Sequence, residues 1–169
     1  RTFKVLQNFE RWPSWMWANW ETLELAQWLR EFNQDLPANK KRGFYGLDVY
    51  SLWESLQAIM GYLEEEDPNA FQTAREAMKC FEPYGGEGQE YALSTRFVPE
   101  GCRKEVTDLL TEIMNKSQVY NSDREHVFST EQNAITAKNA EEYYRQMVSG
   151  GNKTWNLREE HMMDTLDRL

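Results

Sequence analysis

Apolar residues recur at intervals of three and four along most of this chain, and that period constrains the fold more than any other feature. Leu52, Leu56, Ile59, Met60 and Leu63 form one stripe; Phe71, Ala74, Met78 and Phe81 form a second; Val106, Leu109, Leu110, Ile113 and Met114 form a third. Residues so spaced share one side of an α-helix, and each helix then needs a neighbour to cover that side. The first two stripes are separated by Asp67-Pro68, an N-cap residue followed by proline at the first helical position, so they are expected to pack as a helical hairpin.

The same reading extends to both ends. Phe3, Leu6 and Phe9 predict a helix over 2–10, which Trp12-Pro13-Ser14 breaks. Pro13 or Ser14 opens the next helix, which runs to Asn33 with Leu25, Trp28, Leu29 and Phe32 on one face. A long helix is expected over 123–148, and a last one begins around Asn156, which would cap it with Glu159 reaching back. The segment from Gly43 to about Asp48 is short, aromatic and alternating, and is the one strand candidate. The expected fold is therefore mainly α, with helical hairpins and one short strand at about 43–48. Because both ends fall inside periodic segments, residues 1–169 are expected to be a single helical segment, incomplete at both ends.

Composition removes several functional classes. At 169 residues, with 40% hydrophobic and 14% aromatic residues, the chain is long and apolar enough to bury a sizeable core. The net charge of -9, with acids interleaved among lysines and arginines, supplies no basic footprint for nucleic acid. Lys40, Lys41 and Arg42 are the one basic cluster, read as keeping a loop in water. Two histidines and the cysteines Cys80 and Cys102 match no zinc or redox spacing, so no metal or cofactor is expected. Two free thiols suggest a reducing, cytoplasmic setting, although a single disulfide is compatible with the spacing. No apolar run approaches the roughly 20 residues of a membrane helix, and no signal peptide opens the chain.

A few positions break the amphipathic pattern. Phe128, Gln132, Ile135, Asn139 and Tyr143 share one face of the long helix, which places two amides on an otherwise apolar stripe. They are either partners in a hydrogen-bonded core or members of a polar cleft. Arg158 falls in the expected first turn of the last helix, where a cation opposes the helix dipole; it needs a carboxylate partner or a bound anionic or carbonyl group. His161 lies one turn further on, and His126 sits in a charged run facing solvent. No nucleophile elbow, phosphate loop or zincin motif occurs.

Six landmarks in order bring in a family. They are 9–19 (FERWPSWMWAN), 43–52 (GFYGLDVYSL), 80–86 (CFEPYGG), 131–134 (EQNA), 138–144 (KNAEEYY) and 155–162 (WNLREEHM). Together they resemble the erythromycin-esterase-like family, which includes bacterial proteins labelled as succinoglycan biosynthesis proteins. The resemblance implies that the chain is the helical middle of a larger α/β hydrolase that cleaves an ester without a metal. In that family a histidine in a Gly-Glu-x-x-His-Gly motif and a glutamate lie upstream of these landmarks, and a His-Asn-x-His stretch lies downstream. None of those motifs occurs in this sequence. His161 matches a landmark, but the resemblance carries no catalytic role onto it.

The expected contribution of the chain is therefore to the shape of a substrate cleft. Trp12, Trp15, Trp17, Asp48, Tyr50, Gln132, Asn139 and Arg158 are the candidate cleft residues. The tryptophans could equally pack in the core, and Asp48 could cap the helix that follows Ser51. The implied partners are a small-molecule ester and the remaining parts of the same polypeptide. The competing reading is a non-catalytic helical binding or structural module of the same ancestry.

Overall fold

A computed structural model describes residues 2–7, 14–85, 88–98, 101–120 and 124–169. They form helices α1 (Thr2–Gln7), α2 (Trp20–Asn33), α3 (Leu52–Glu66), α4 (Pro68–Phe81), α5 (Gly88–Ser94), α6 (Arg103–Lys116), α7 (Arg124–Met147) and α8 (Lys153–Arg168), joined by short 3-10 turns. The mainly α architecture follows the apolar periods. The expected strand does not form: residues 43–48 take no regular structure, and no strand occurs among the described residues. Alternation over so few residues needs a second strand to receive its backbone hydrogen bonds, and none is supplied.

The chain divides into two compact units, 1–46 and 47–169. In the first, α2 starts six residues later than Ser14. Ser14–Met16 is a 3-10 turn, and Asn19 is the true cap, its Oδ1 accepting from the Thr22 amide at 2.8 Å while its Nδ2 donates to the Trp15 and Met16 carbonyls. The stripe expected to be buried on α2 is mostly exposed: Leu25, Trp28 and Phe32 remain open and only Leu23 is buried. Trp28 and Phe32 stack on each other at 5.4 Å, and Trp20 stacks on Phe3 at 5.7 Å.

The second unit contains the core. Leu52, Leu56, Ile59 and Leu63 of α3 are fully buried, as are Ala70, Ala74, Ala77 and Phe81 of α4 and Leu109 and Ile113 of α6. Each large aliphatic among them contributes about 1.5–3 kcal/mol through burial. Asp67 joins α3 to α4 as expected, accepting from the amides of Asn69 and Ala70 at 3.1 Å. Burial alone would raise its carboxyl, but Lys116 at 2.9 Å and these amides outweigh burial and hold it below the usual range.

Helix α7 is central, packed by α3, α5 and α6 and also by α8. Its buried residues are Thr130, Ala134, Thr136, Ala137, Ala140, Glu141 and Tyr144, and the small ones allow close approach of neighbouring helices. The stripe carrying Gln132 and Asn139 is only half-buried, and both amides are met by α8. Helix α8 opens at Lys153, after Gly150 and Gly151 with φ of 69° and 88°, and not at Asn156. Left-handed backbone at two successive positions suits glycine alone, and it fixes the start of the helix there. Asn156 lies inside the first turns, and Arg158 is further from the positive end of the dipole than the sequence suggested.

The cysteines also depart from expectation. Cys80, at the end of α4, and Cys102, just before α6, form a disulfide and are not free thiols. Their separation of 22 residues matches no motif, and the packing of α4 against α6 brings them together.

Candidate functional site

The segment 47–51 leads into α3 and is held by Val49, which is fully buried. The chain bends at Val49, and its neighbours Asp48 and Tyr50 are only partly buried. Asp48 caps no helix. Its Oδ1 accepts from the Val49 amide at 2.8 Å and from Nε of Arg158 at 2.9 Å, while Oδ2 accepts from Nη2 of Arg158 at 2.8 Å. Two parallel bonds of this kind match the fork of a guanidinium to a carboxylate and fix its plane.

Aromatic rings flank that plane. The Arg158 guanidinium carbon lies 5.1 Å from the centre of the Tyr50 ring and 5.8 Å from that of Trp155, one turn earlier on α8. Both distances are within cation–π range. Tyr50 meets Tyr143 of α7 edge to face at 5.3 Å, with the two hydroxyls 3.4 Å apart. Hydrogen bonding to Asp48 raises the Arg158 pKa further. Burial, with the Tyr143 contact behind it, pushes the Tyr50 phenol well above its ordinary range, so it stays protonated.

His161 is buried beneath this pair. The Asn139 amide nitrogen lies 3.0 Å from its Nδ1, and the Asn139 oxygen accepts from Lys138 at 3.3 Å, which sets the orientation of the amide. An amide nitrogen only donates, so Nδ1 accepts and the ring proton sits on the other nitrogen. Burial lowers the His161 pKa, against the opposing influence of Asp48 and Asp164.

The expected site residues thus separate. Asp48, Tyr50 and Arg158 come together, while Asn139 pairs with His161, three residues beyond Arg158 on α8. Gln132 belongs to another α7–α8 contact, donating to Thr165 at 2.8 Å and accepting from Arg168 at 3.1 Å. Trp15 and Trp17 are exposed in the first unit, and Trp12 lies outside the described residues. Trp155 and Tyr143 were not singled out as site residues. The signal for Trp155 was its position three before Arg158, and for Tyr143 its place on the amide-bearing stripe.

The cluster presents an exposed Trp155 ring, phenol hydroxyls and a carboxylate–guanidinium pair. Among the described residues no group of three or more His, Cys, Asp and Glu could hold a metal. A pocket of about 250 Å³ in the first unit is lined by Thr22, Leu25, Leu29, Arg30 and Phe44, among others. It is mainly hydrocarbon, and its Asn33 is engaged by both the amide and the carbonyl of Arg42 at 2.7 Å.

Two kinds of comparison bear on this arrangement. The family model described as erythromycin esterase matches residues 2–169. A solved structure described as a succinoglycan biosynthesis protein superposes with a TM-score of 0.71 at 17% identity, over 96% of this chain and 40% of its own. A Bacillus cereus protein superposes with a TM-score of 0.73 at 15% identity, over 99% of this chain and 42% of its own. The chain therefore shares its fold with about two fifths of each of these structures.

Proposed function

The chain belongs to the erythromycin esterase family, and from that premise we propose that it forms the ligand-orienting part of an ester hydrolase. The single observation that carries the reading is the Asp48–Arg158 pair, bidentate and flanked by Tyr50 and Trp155. A fixed guanidinium between aromatic faces holds a carbonyl or another oxygen-rich group of a small ester and aligns it for attack. Positioning of this kind can supply several kcal/mol of a barrier without a covalent step.

The chemistry itself belongs to residues outside these 169. A histidine in the family's Gly-Glu-x-x-His-Gly motif would act as general base on water, aided by a glutamate and the downstream His-Asn-x-His stretch, with no metal. Positioned proton transfer contributes about 10²–10⁴-fold. The partners in this reading are the small ester and the remainder of the same polypeptide.

The cytoplasmic setting expected from free thiols loses its support with the Cys80–Cys102 disulfide, which favours an oxidising environment. No helix of the described residues is long and apolar enough to cross a membrane.

The test is hydrolysis of a chromogenic aryl ester by the full polypeptide, with chelator present, in wild-type form and with the upstream histidine replaced. The reading expects chelator-insensitive turnover that the replacement abolishes. Turnover that survives the replacement would remove the esterase mechanism. No turnover of any ester, alongside retained small-molecule binding at Arg158, would favour the binding module.

A further inference from the structure

We infer that the Cys80–Cys102 disulfide is a redox control on the Arg158 cluster: a dithiol reductant that opens it releases α5 from α7 and loosens the tyrosine that fixes Tyr50. The control acts on the ligand-facing pair proposed above and rests on that reading of Asp48 and Arg158.

A chain of contacts runs from the sulfurs to the site. The two cysteines bracket Tyr91, the central residue of α5, which is fully buried. Phe81, directly after Cys80, and Tyr84 meet its ring edge to face at 5.0 and 5.1 Å, while the Cys102 amide donates to its hydroxyl at 2.9 Å. That hydroxyl in turn donates to Glu141 of α7 at 2.7 Å. At the start of α5, Gly88 lies against the Tyr144 ring of α7 with no room between them for a Cβ. Only glycine permits so close an approach. Tyr144 then donates to the Tyr50 carbonyl at 3.1 Å, and the Tyr50 ring faces the Arg158 guanidinium at 5.1 Å. Helix α5 has seven residues, too few to be stable without such anchors, and the disulfide is the covalent restraint on the segment that carries it.

The two sulfurs differ in access. Cys102 is fully buried and Cys80 is partly exposed. A thiolate of the dithiol therefore attacks Sγ of Cys80, forms a mixed disulfide with it and expels Cys102 as a thiolate at the start of α6, where the helix dipole favours negative charge. The second thiolate of the reductant attacks the mixed disulfide, closes the reductant's own disulfide and frees Cys80. Two electrons pass from the dithiol to the cysteines, and its two protons reach them through solvent.

The experiment is hydrogen exchange read by mass spectrometry on the full polypeptide, oxidised and after dithiothreitol, with circular dichroism to confirm folding. The proteins are the wild type, Cys80→Ser with Cys102→Ser, and Gly88→Ala. Reduction of the wild type should speed exchange about ten-fold in 88–98 and also in 47–52. The double serine variant should match the reduced wild type with or without reductant. Gly88→Ala keeps the disulfide but displaces the Tyr144 ring, so it should speed exchange in 47–52 without reductant. For an aryl ester, the reduced wild type and oxidised Gly88→Ala should each raise KM about five-fold with kcat little changed.

Faster exchange confined to 88–98 on reduction, with 47–52 unchanged, overturns the inference. So does unchanged exchange in 47–52 of oxidised Gly88→Ala, a result that does not depend on the reduced chain remaining folded. Faster exchange in 47–52 with KM unchanged supports the coupling and instead removes the ligand role of Arg158, so the two readings fail separately.

Discussion

The Tyr144 hydroxyl on α7 donates to the main-chain carbonyl of Tyr50, 94 residues earlier, at 3.1 Å. This bond ties the central helix of the second unit to the segment that carries Asp48. It also links the core to the candidate site, because Tyr144 is buried among core residues and Tyr50 lies against Arg158. Tyr144→Phe keeps the ring and removes only the donor, while the Tyr50 carbonyl still accepts from the Leu52 amide at 3.0 Å. The expected loss is about 0.5–1.5 kcal/mol in urea unfolding, with weakened binding of any ligand held by Arg158. Unchanged stability and unchanged binding together would mean that the bond does not restrain the segment.

Disulfide formation between Cys80 and Cys102 closes a loop with a sequence separation of 22 that contains α5. Loop-closure entropy assigns such a cross-link about 3 kcal/mol. Reduction, or Cys80→Ala with Cys102→Ala, should therefore lower the melting temperature by on the order of 10 °C. Protease cleavage should also increase within 85–101. The check is thiol titration under denaturing conditions before and after reductant, followed by melting. Two thiols in unreduced protein from an oxidising compartment would contradict the pairing.

Those cysteines show where reading a sequence stops. The α3–α4 hairpin was legible because its information is local: an apolar period on each side of Asp67-Pro68, realised as a capped junction and a buried face. The pairing of Cys80 with Cys102 depends on how α4 packs against α6, and no short-range pattern encodes it. Helix α2 gives a different lesson. Its stripe of Leu25, Trp28 and Phe32 has the right period but stays exposed, because periodicity reports which side is apolar and not what covers it. At the site, Arg158 stood out as a cation without an evident partner, and Asp48 and Tyr50 proved to be that partner and its neighbour. Trp155 and Tyr143 were ordinary amphipathic residues until packing placed them beside Tyr50 and Arg158.

Glu141 is buried on α7, accepting from the Tyr91 hydroxyl at 2.7 Å and from Nε of Arg145 at 3.1 Å. The same hydroxyl accepts from the Cys102 amide at 2.9 Å, so the carboxylate anchors the disulfide-bonded loop. Glu141→Ala should cost about 3 kcal/mol by leaving Arg145 and Tyr91 without their partner, and Glu141→Gln should cost less. Burial raises the Glu141 carboxyl above its ordinary 4.5, so the folded chain holds this proton more tightly than the unfolded chain. That contribution is fully present below the unfolded value and is lost as pH rises through the folded one. Stability of the wild type relative to Glu141→Gln should therefore fall as pH rises from 4.5, measured by urea unfolding across that window. A difference that does not vary with pH would refute the assignment.

His161 carries the opposite sign. Burial depresses its pKa from the ordinary 6.5, so the folded chain resists protonation that the unfolded chain accepts. Its contribution is complete above 6.5 and is lost as pH falls through the folded value. Acidification from 6.5 should therefore destabilise the wild type more than His161→Gln, which has nothing to titrate there. Parallel stability curves for the two proteins through this range would show that the imidazole is not held in its neutral form.

The most direct measurement of the central claim is steady-state ester hydrolysis by the full polypeptide carrying Arg158→Lys, Asp48→Asn and both together. Lysine keeps the charge of Arg158 but cannot form the fork to Asp48 or offer a flat cation to the Tyr50 and Trp155 rings. Each single variant should raise KM about ten-fold with a smaller effect on kcat. The double variant should be little worse than either, because the pair acts as a unit. A kcat/KM within about two-fold of wild type in folded Arg158→Lys would contradict the claim that this chain orients the substrate.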